Sequence, residues 1–137
     1  MKSNQQLPLA GLRVVDFGQQ IAGPATAMLL ADFGATVVHV DPPQGPQWDH
    51  PANAILNRNK HCLRLDLHTA EGLQQALALI AKADVVIESF RPGVMQRLGI
   101  DFARLQAERP ALITLSMPGF ASNDQLRRDW KATEAVV

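Results

Sequence analysis

The chain reads LRVVDFGQQIAGPATAMLLADFGATVVHV over residues 12–40. Its first six residues form a short apolar run rich in β-branched side chains, which is typical of a strand buried on both faces. Ala25 to Phe33 favours helix through its Ala, Met and Leu residues, with Pro24 in the first turn and Gly34 placed to end the helix. Thr36 to Val40 is rich in β-branched residues again and predicts a second strand. This stretch therefore predicts a β-α-β unit.

The same pattern repeats further along the chain. Cys62 to Leu67 alternates as a strand, Thr69 to Ala83 carries apolar residues at helical spacing, and Asp84 to Ser89 is again β-rich. Three further elements are predicted: a short helix over Pro92–Leu98, a helix with Asp101 as its N-cap that stops before Pro110, and a strand over Ala111–Ser116. Strands that alternate with helices predict a Rossmann-like α/β fold, a parallel sheet with right-handed crossovers and helices on both faces.

The length of 137 residues fits one domain with its own apolar core. Residues 1–8 are polar and carry one Lys, so we expect a flexible leader there rather than a signal peptide or a transmembrane helix. Residues 9–137 would form the domain, interrupted by a proline-rich loop at Asp41 to Asp49. From Asn123 the sequence favours a helix that stops at Val137 without Gly, Pro or a capping residue, so this last helix is expected to be truncated.

Composition excludes several classes of function. Thirteen Lys and Arg residues balance thirteen Asp and Glu residues, so there is no general attraction to nucleic acid or to an anionic membrane surface, and any anion site must be local. The single cysteine, Cys62, excludes an internal disulfide and favours a reducing compartment, so we expect a cytoplasmic protein. Within its predicted strand, Cys62 should be a small buried hydrophobe. The four histidines show no metal-ligand spacing, so no metal is predicted.

Ligands of open parallel sheets bind outside the carboxyl ends of the strands, so the segments after the strands are the candidate sites. After the first strand, Gly18 to Pro24 offers glycines that permit close backbone approach and a helix N-terminus that suits a phosphate. The same segment also fits an ordinary tight turn, because it lacks the GxGxxG fingerprint. After the fourth strand, Glu88 to Gly99 brings an aromatic ring and two arginines together, which suits a nucleotide with several phosphates. The alternative there is a core Phe90 beside two surface arginines.

Two other segments allow more than one role. Asp41 stands where a dinucleotide-binding fold places the acid that holds a ribose hydroxyl, which supports a nicotinamide-dependent oxidoreductase as a rival hypothesis. The glycine spacing and the prolines after Asp41 count against that hypothesis and favour a solvated loop acid. Asn57 to His61 is basic and rich in amides, so it could bind an anion or lie in a solvated loop.

Three segments, taken in order, carry a resemblance to a known family: LAGLRVVDFGQQIAGPATAMLLADFGATVVHVDPP, NRNKHCLRLDL and ADVVIESFRPGVMQRLGID. From Leu9 to about Gly119, and more loosely to Val137, the chain resembles the start of the class III CoA-transferases. This is the family of formyl-CoA transferase, carnitine CoA-transferase and the α-methylacyl-CoA racemases. The resemblance implies a Rossmann-like large domain that binds coenzyme A (CoA) and an interlocked homodimer. It also implies an aspartate that attacks the acyl-CoA carbonyl before CoA is passed to a carboxylic acid.

The same resemblance implies which residues contact CoA. These are Ile21 and Ala22 after the first strand, Leu65 and His68 beside the adenosine, Ser89, Phe90 and Arg91 as the main contacting segment, Arg97 as a phosphate-binding arginine, and Lys131 as a further contacting lysine.

The chain departs from the family pattern at two places. A basic residue that some members carry after the acid of the second strand is Pro42 here, so one phosphate contact would be missing. The aspartate nucleophile of the family falls downstream of this chain, and none of Asp16, Asp41, Asp101 or Asp129 stands at its position.

We therefore expect the CoA-binding part of a class III CoA-transferase that acts on acyl-CoA and a small carboxylic acid but is catalytically incomplete as given. The alternatives are a stand-alone CoA-binding module completed by a partner chain, a fragment of an acyl-CoA racemase, and the nicotinamide-dependent oxidoreductase domain.

Overall fold

The computed structural model describes residues 6–132 of the chain. Five strands form one sheet in the order β3-β2-β1-β4-β5, and every pairing between neighbours is parallel. The strands are β1 Arg13–Asp16, β2 Thr36–Asp41, β3 Lys60–Arg64, β4 Val85–Glu88 and β5 Ile113–Ser116. The strand order reverses at β1, because β4 pairs on the side of β1 that β2 leaves open. The predicted Rossmann-like fold is confirmed.

Helices cover both faces of the sheet, as predicted. They are α1 Ala22–Asp32, α2 Asn53–Leu56, α3 Ala70–Lys82, α4 Val94–Arg97 and α5 Phe102–Glu108. On one face, Ala27 of α1 belongs to the same buried cluster as Val37 and Ile87. On the other face, Ile80 of α3 belongs to the cluster that contains Val86. None of the helices in residues 6–132 is long and apolar enough to cross a membrane.

The predicted helix ends are largely confirmed. Asp101 caps α5, because its Oδ1 accepts from the backbone N–H of Arg104 at 3.2 Å. Gly34 follows α1 with a φ of 103°, in the left-handed region that favours glycine. A Cβ at Gly34 would lie 2.6 Å from the Cβ of Leu7, so the end of the predicted leader packs against the end of α1.

The region between β2 and α3 differs from its prediction in two respects. The chain between Asp41 and Lys60 includes the one-turn helix α2, where only a loop was expected. The strand predicted over Cys62 to Leu67 begins earlier, at Lys60, and Cys62 is exposed rather than buried. The expected burial is wrong because β3 is an edge strand, and its remaining residues after Lys60 are all exposed.

The helix predicted from Asn123 is wrong within the described residues, because residues 122–130 form successive turns. The Asp124 side chain accepts from the backbone N–H groups of Leu126 and Arg127 at 3.2 and 3.1 Å. The Asp129 carbonyl accepts from Arg91 Nη1 at 3.0 Å. These contacts replace helical ones, since local side-chain bonds and tertiary partners override a weak helix propensity. Residues 133–137 of that predicted helix lie outside the described residues.

Candidate functional site

A cleft of about 840 Å³ opens at the carboxyl edge of the sheet. Each of the five strands contributes to its lining through the segment that follows it: Gln19 after β1, Gln47 after β2, His68 after β3, Phe90 after β4 and Met117 after β5. Sheets of this order bind ligands at this edge, beside the point where the strand order reverses. The cleft is therefore the candidate functional site.

Most of the residues implied by the resemblance line this cleft. They are Ala22, His68, Ser89, Phe90, Arg91 and Lys131. Three of them, namely Arg91, Lys131 and His68, can carry positive charge, although the whole chain has no net charge. The sheet thus gathers basic side chains that are distant in sequence into one local site for an anion.

The other three implied residues, Ile21, Leu65 and Arg97, are not part of the cleft lining. Ile21 is an exposed residue at the start of α1. Leu65 is buried in the core, and its backbone N–H donates to the Asp41 carbonyl at 3.0 Å. Arg97 ends α4, with its guanidinium beside Gly93. Contact between these three residues and CoA stays a prediction.

Sequence reasoning missed part of the lining. Met117, Pro118 and Gly119 directly follow β5, so the rule that led to the other segments could have found them. Gln47 lies within the proline-rich loop, where no local pattern indicates that the loop folds back to the cleft. Its backbone N–H donates to Gln19 Oε1 at 3.2 Å, a contact between residues far apart in sequence.

The turn between β1 and α1 is tight because two glycines pack backbone against backbone. A Cβ at Gly18 would lie 2.8 Å from the Cα of Gly23, and a Cβ at Gly23 would lie 2.8 Å from the Cα of Gly18. Real Cβ atoms do not approach other carbons so closely. Of the two alternatives that the sequence left open, the tight turn accounts for both glycines without a ligand.

A network of buried polar side chains adjoins this turn. Asp16 is 0% exposed, and its Oδ2 lies 2.8 Å from His39 Nδ1 and 3.1 Å from Lys60 Nζ. The other nitrogen of His39, Nε2, lies 3.1 Å from Asp41 Oδ1. Lys60 Nζ also donates to the Pro24 carbonyl at 2.8 Å. Buried charges are costly unless they are paired and fully hydrogen-bonded, and this network meets both conditions.

Two expectations are corrected by this network. Asp41 is not a solvated loop acid, since it is only 8% exposed and faces His39. Lys60 is not part of a solvated loop, since its side chain is 0% exposed. Burial lowers the pKa of the Lys60 ammonium, and the neighbouring Asp16 carboxylate acts in the opposite direction. Both side chains are drawn inside because the sheet places opposite charges on adjacent strands.

The network also holds both ends of the turn that lines the cleft. At the start of the turn, Asp16 Oδ1 accepts from the backbone N–H of Gly18 at 2.8 Å. At its end, Lys60 holds the Pro24 carbonyl. Since Lys60 and Asp16 contact each other, β1, β3 and the first turn of α1 are joined through one ion pair.

Glu88 has a comparable role on the other side of the cleft. Its Oε2 accepts from the backbone N–H of Phe90 at 2.7 Å, and its Oε1 accepts from the hydroxyl of Ser116 on β5. Burial raises the pKa of the Glu88 carboxyl, while the bonds from Ser116 and Phe90 act in the opposite direction. The carboxyl therefore links β4 to β5 and holds the backbone that carries Phe90.

The cleft offers chemistry suited to an anionic ligand with many polar atoms. Residues 6–132 hold no group of three or more His, Cys, Asp or Glu side chains placed to bind a metal ion. The described lining instead includes the guanidinium of Arg91 and the ammonium of Lys131, which bind phosphates well. Phe90 adds an aromatic surface to them.

Comparison with known proteins places this geometry in a family. The family model described as CoA-transferase family III matches residues 9–137. CoA-transferase/lyase DddD from Marinomonas sp. (strain MWYL1) is 73% identical over 137 residues, which are 100% of this chain and 16% of that protein. The alpha subunit of succinyl-CoA–L-malate CoA-transferase from Chloroflexus aurantiacus is 39% identical over 136 residues, covering 90% of this chain and 32% of that subunit.

A solved structure agrees with the sequence comparisons. The crystal structure of Rv3272 from Mycobacterium tuberculosis matches with a TM-score of 0.77 and 38% identity, over 85% of this chain and 35% of that one. The chain thus spans about a third or less of the length of the relatives described here. Since the family match covers nearly all of its residues, the chain belongs to CoA-transferase family III.

Proposed function

We propose that the cleft holds the CoA portion of an acyl-CoA thioester, so that this chain is the CoA-binding part of a CoA-transferase. The observation that carries the proposal is the convergence of all five strand ends on one cleft that includes Arg91 and Lys131. CoA carries several phosphate charges, which require local cations on a chain with no net charge. Phe90 supplies a surface against which the adenine or the pantetheine arm can pack.

The reaction that we propose for the whole protein is the transfer of CoA from an acyl-CoA to a small carboxylic acid. In this mechanism a carboxylate attacks the thioester carbonyl and is later released when the acceptor acid takes up CoA. Asp16 and Asp41 are unsuited to that attack, because both are buried and bonded to His39. We therefore propose that an aspartate outside this chain is the nucleophile, and that the protein works as a cytoplasmic homodimer.

The rival reading as a nicotinamide-dependent domain has less support. It depends on Asp41, whose carboxylate would have to face a ribose hydroxyl. Asp41 Oδ1 instead accepts from His39 and from Gln19 Nε2, the latter at 3.4 Å. An acyl-CoA racemase fragment and a stand-alone module completed by a partner chain would use the same CoA cleft, so they differ from our proposal in later steps and not in this one.

Calorimetric titration of the purified chain with CoA tests the proposal. We expect saturable binding, and we expect Arg91→Ala to weaken it by about tenfold, as for loss of one charge-assisted contact. Arg104→Ala is the matched control, because Arg104 is an exposed residue of α5 that pairs with Glu108 away from the cleft.

Two parallel titrations sharpen the result. Adenosine 3′,5′-bisphosphate should bind and compete with CoA, while NADH should bind much more weakly than CoA. Binding of NADH in preference to CoA would support the oxidoreductase reading, and a folded chain that binds neither would contradict the proposed CoA cleft.

A further inference from the structure

We propose that Gln19 is a positioning residue that holds three of the cleft's loops in one arrangement for CoA, an inference that rests on the proposed function. Gln19 is 8% exposed, and each of its polar groups contacts another loop. Its backbone N–H donates to Ser89 Oγ at 2.8 Å, and its carbonyl accepts from the same hydroxyl at 3.3 Å. Its side-chain Oε1 accepts from the Gln47 N–H, and its Nε2 faces Asp41.

The side-chain amide of Gln19 can satisfy these partners in one orientation only. Asp41 Oδ1 is an acceptor, so the amide nitrogen must face it, and the Gln47 N–H is a donor, so the amide oxygen must face that group. Asp41 is itself held by His39, which is held by Asp16. The orientation of Gln19 is therefore set by the buried network and not by solvent.

This arrangement joins loops that come from three different strands. Gln19 follows β1, Gln47 follows β2 and Ser89 follows β4, and all three residues line the cleft. The next residue, Gln20, has a φ of 65°, a conformation that side chains disfavour, so the turn needs contacts that hold it. A ligand that touches all three loops binds more tightly when they are already ordered together, because less conformational entropy is lost on binding.

The sharpest test exchanges the two chemical partners. Gln19→Glu keeps the shape of the side chain but places a carboxylate against Asp41, so we expect CoA binding to weaken by about tenfold. In Gln19→Glu combined with Asp41→Asn, the new amide nitrogen donates to the introduced carboxylate while the amide oxygen still accepts from His39. We expect this double variant to bind CoA within about threefold of wild type, because a rescued contact is non-additive.

Gln74→Glu is the matched control for charge and shape, because Gln74 is an exposed residue of α3 outside the cleft. Each variant is also followed without ligand, by hydrogen exchange at the backbone N–H of Gln47. We expect faster exchange in Gln19→Glu and exchange near the wild-type rate in both the double variant and the control.

The two readouts separate the two proposals. A wild-type chain that does not bind CoA would overturn the proposed function, and the exchange of the Gln47 N–H would still decide whether Gln19 holds the loops. If wild type binds CoA and Gln19→Glu binds it equally well, the positioning role is refuted. Loss of binding that the double variant does not restore would also refute it, since the contact with Asp41 would then not be the cause.

Discussion

At the scale of single residues, the ion pair between Lys60 and Asp16 shows how this fold accommodates buried charge. Both side chains are 0% exposed, and removing either partner would leave a buried charge uncompensated. Each partner also bonds to the backbone of the turn, Asp16 to Gly18 and Lys60 to Pro24. The charged groups are therefore kept in the interior by contacts that shape the cleft.

The buried carboxyl of Glu88 leads to a prediction about pH. Because burial raises its pKa above the ordinary value of 4.5, Glu88 keeps its proton in the native state at pH values where the unfolded chain has lost it. The unfolded state then binds fewer protons than the native state, so the free energy of unfolding falls as pH rises above 4.5, until native Glu88 also ionises. Glu88→Gln cannot ionise, so its stability relative to wild type should increase over that range.

Urea unfolding of wild type and Glu88→Gln at a series of pH values measures this difference. The glutamine can still accept from the Phe90 N–H and donate to Ser116 Oγ, so the native contacts are kept. Glu71→Gln is the control, because it removes an exposed carboxyl from the first turn of α3. A difference between wild type and Glu88→Gln that stays constant with pH would show that Glu88 ionises alike in both states.

At the scale of elements, helix α3 contains a residue that contradicts its local propensity. Gly72 lies in the first turn of α3, where Ala would favour helix by about 1 kcal/mol. A Cβ at Gly72, however, would lie 2.0 Å from the Asp66 carbonyl oxygen. The loop that leads into α3 passes too close for any side chain at this position.

We expect Gly72→Ala to destabilise the protein by about 1–3 kcal/mol, as for overpacking, despite the better helix propensity of Ala. The free energy of unfolding in urea measures the effect. Gln74→Ala, on the exposed side of the same helix, should change stability by no more than about 0.5 kcal/mol. Stabilisation by Gly72→Ala would mean that the loop at Asp66 can move aside at little cost.

Elements also show where local patterns suffice. Asp101 caps α5 as predicted, because an N-cap depends on a bond to a backbone group three residues away. The helix predicted from Asn123 is wrong in the described residues, because the Asp129 carbonyl bonds to Arg91, which is distant in sequence. A prediction from local propensity has no access to such a partner.

At the scale of the whole molecule, the sheet has an uncovered edge at β5. Ile113 is 59% exposed and Leu115 is also exposed, although both are large apolar residues within a strand. In the described residues β5 pairs with β4 on one side only, so its outer backbone groups are open to another strand. Exposed apolar edge strands favour association between chains.

We therefore expect this chain to self-associate as its concentration rises, and we expect Ile113→Lys to shift it toward monomer. Sedimentation velocity over a range of concentrations measures the shift. Ala103→Lys is the control, because it adds the same charge on an exposed position of α5. Equal concentration dependence for wild type and Ile113→Lys would mean that β5 is not the surface through which chains associate.

The sequence by itself determined the order of strands and helices, the parallel sheet and the caps, because these depend on spacing within a few residues. It also pointed to Ser89, Phe90 and Arg91, which follow a strand whose pattern is clear. Only the tertiary structure decided that Lys60 and Asp41 are buried, because their charges are balanced by partners on neighbouring strands. The cleft likewise exists only once the sheet has brought together five strand ends that lie far apart in the sequence.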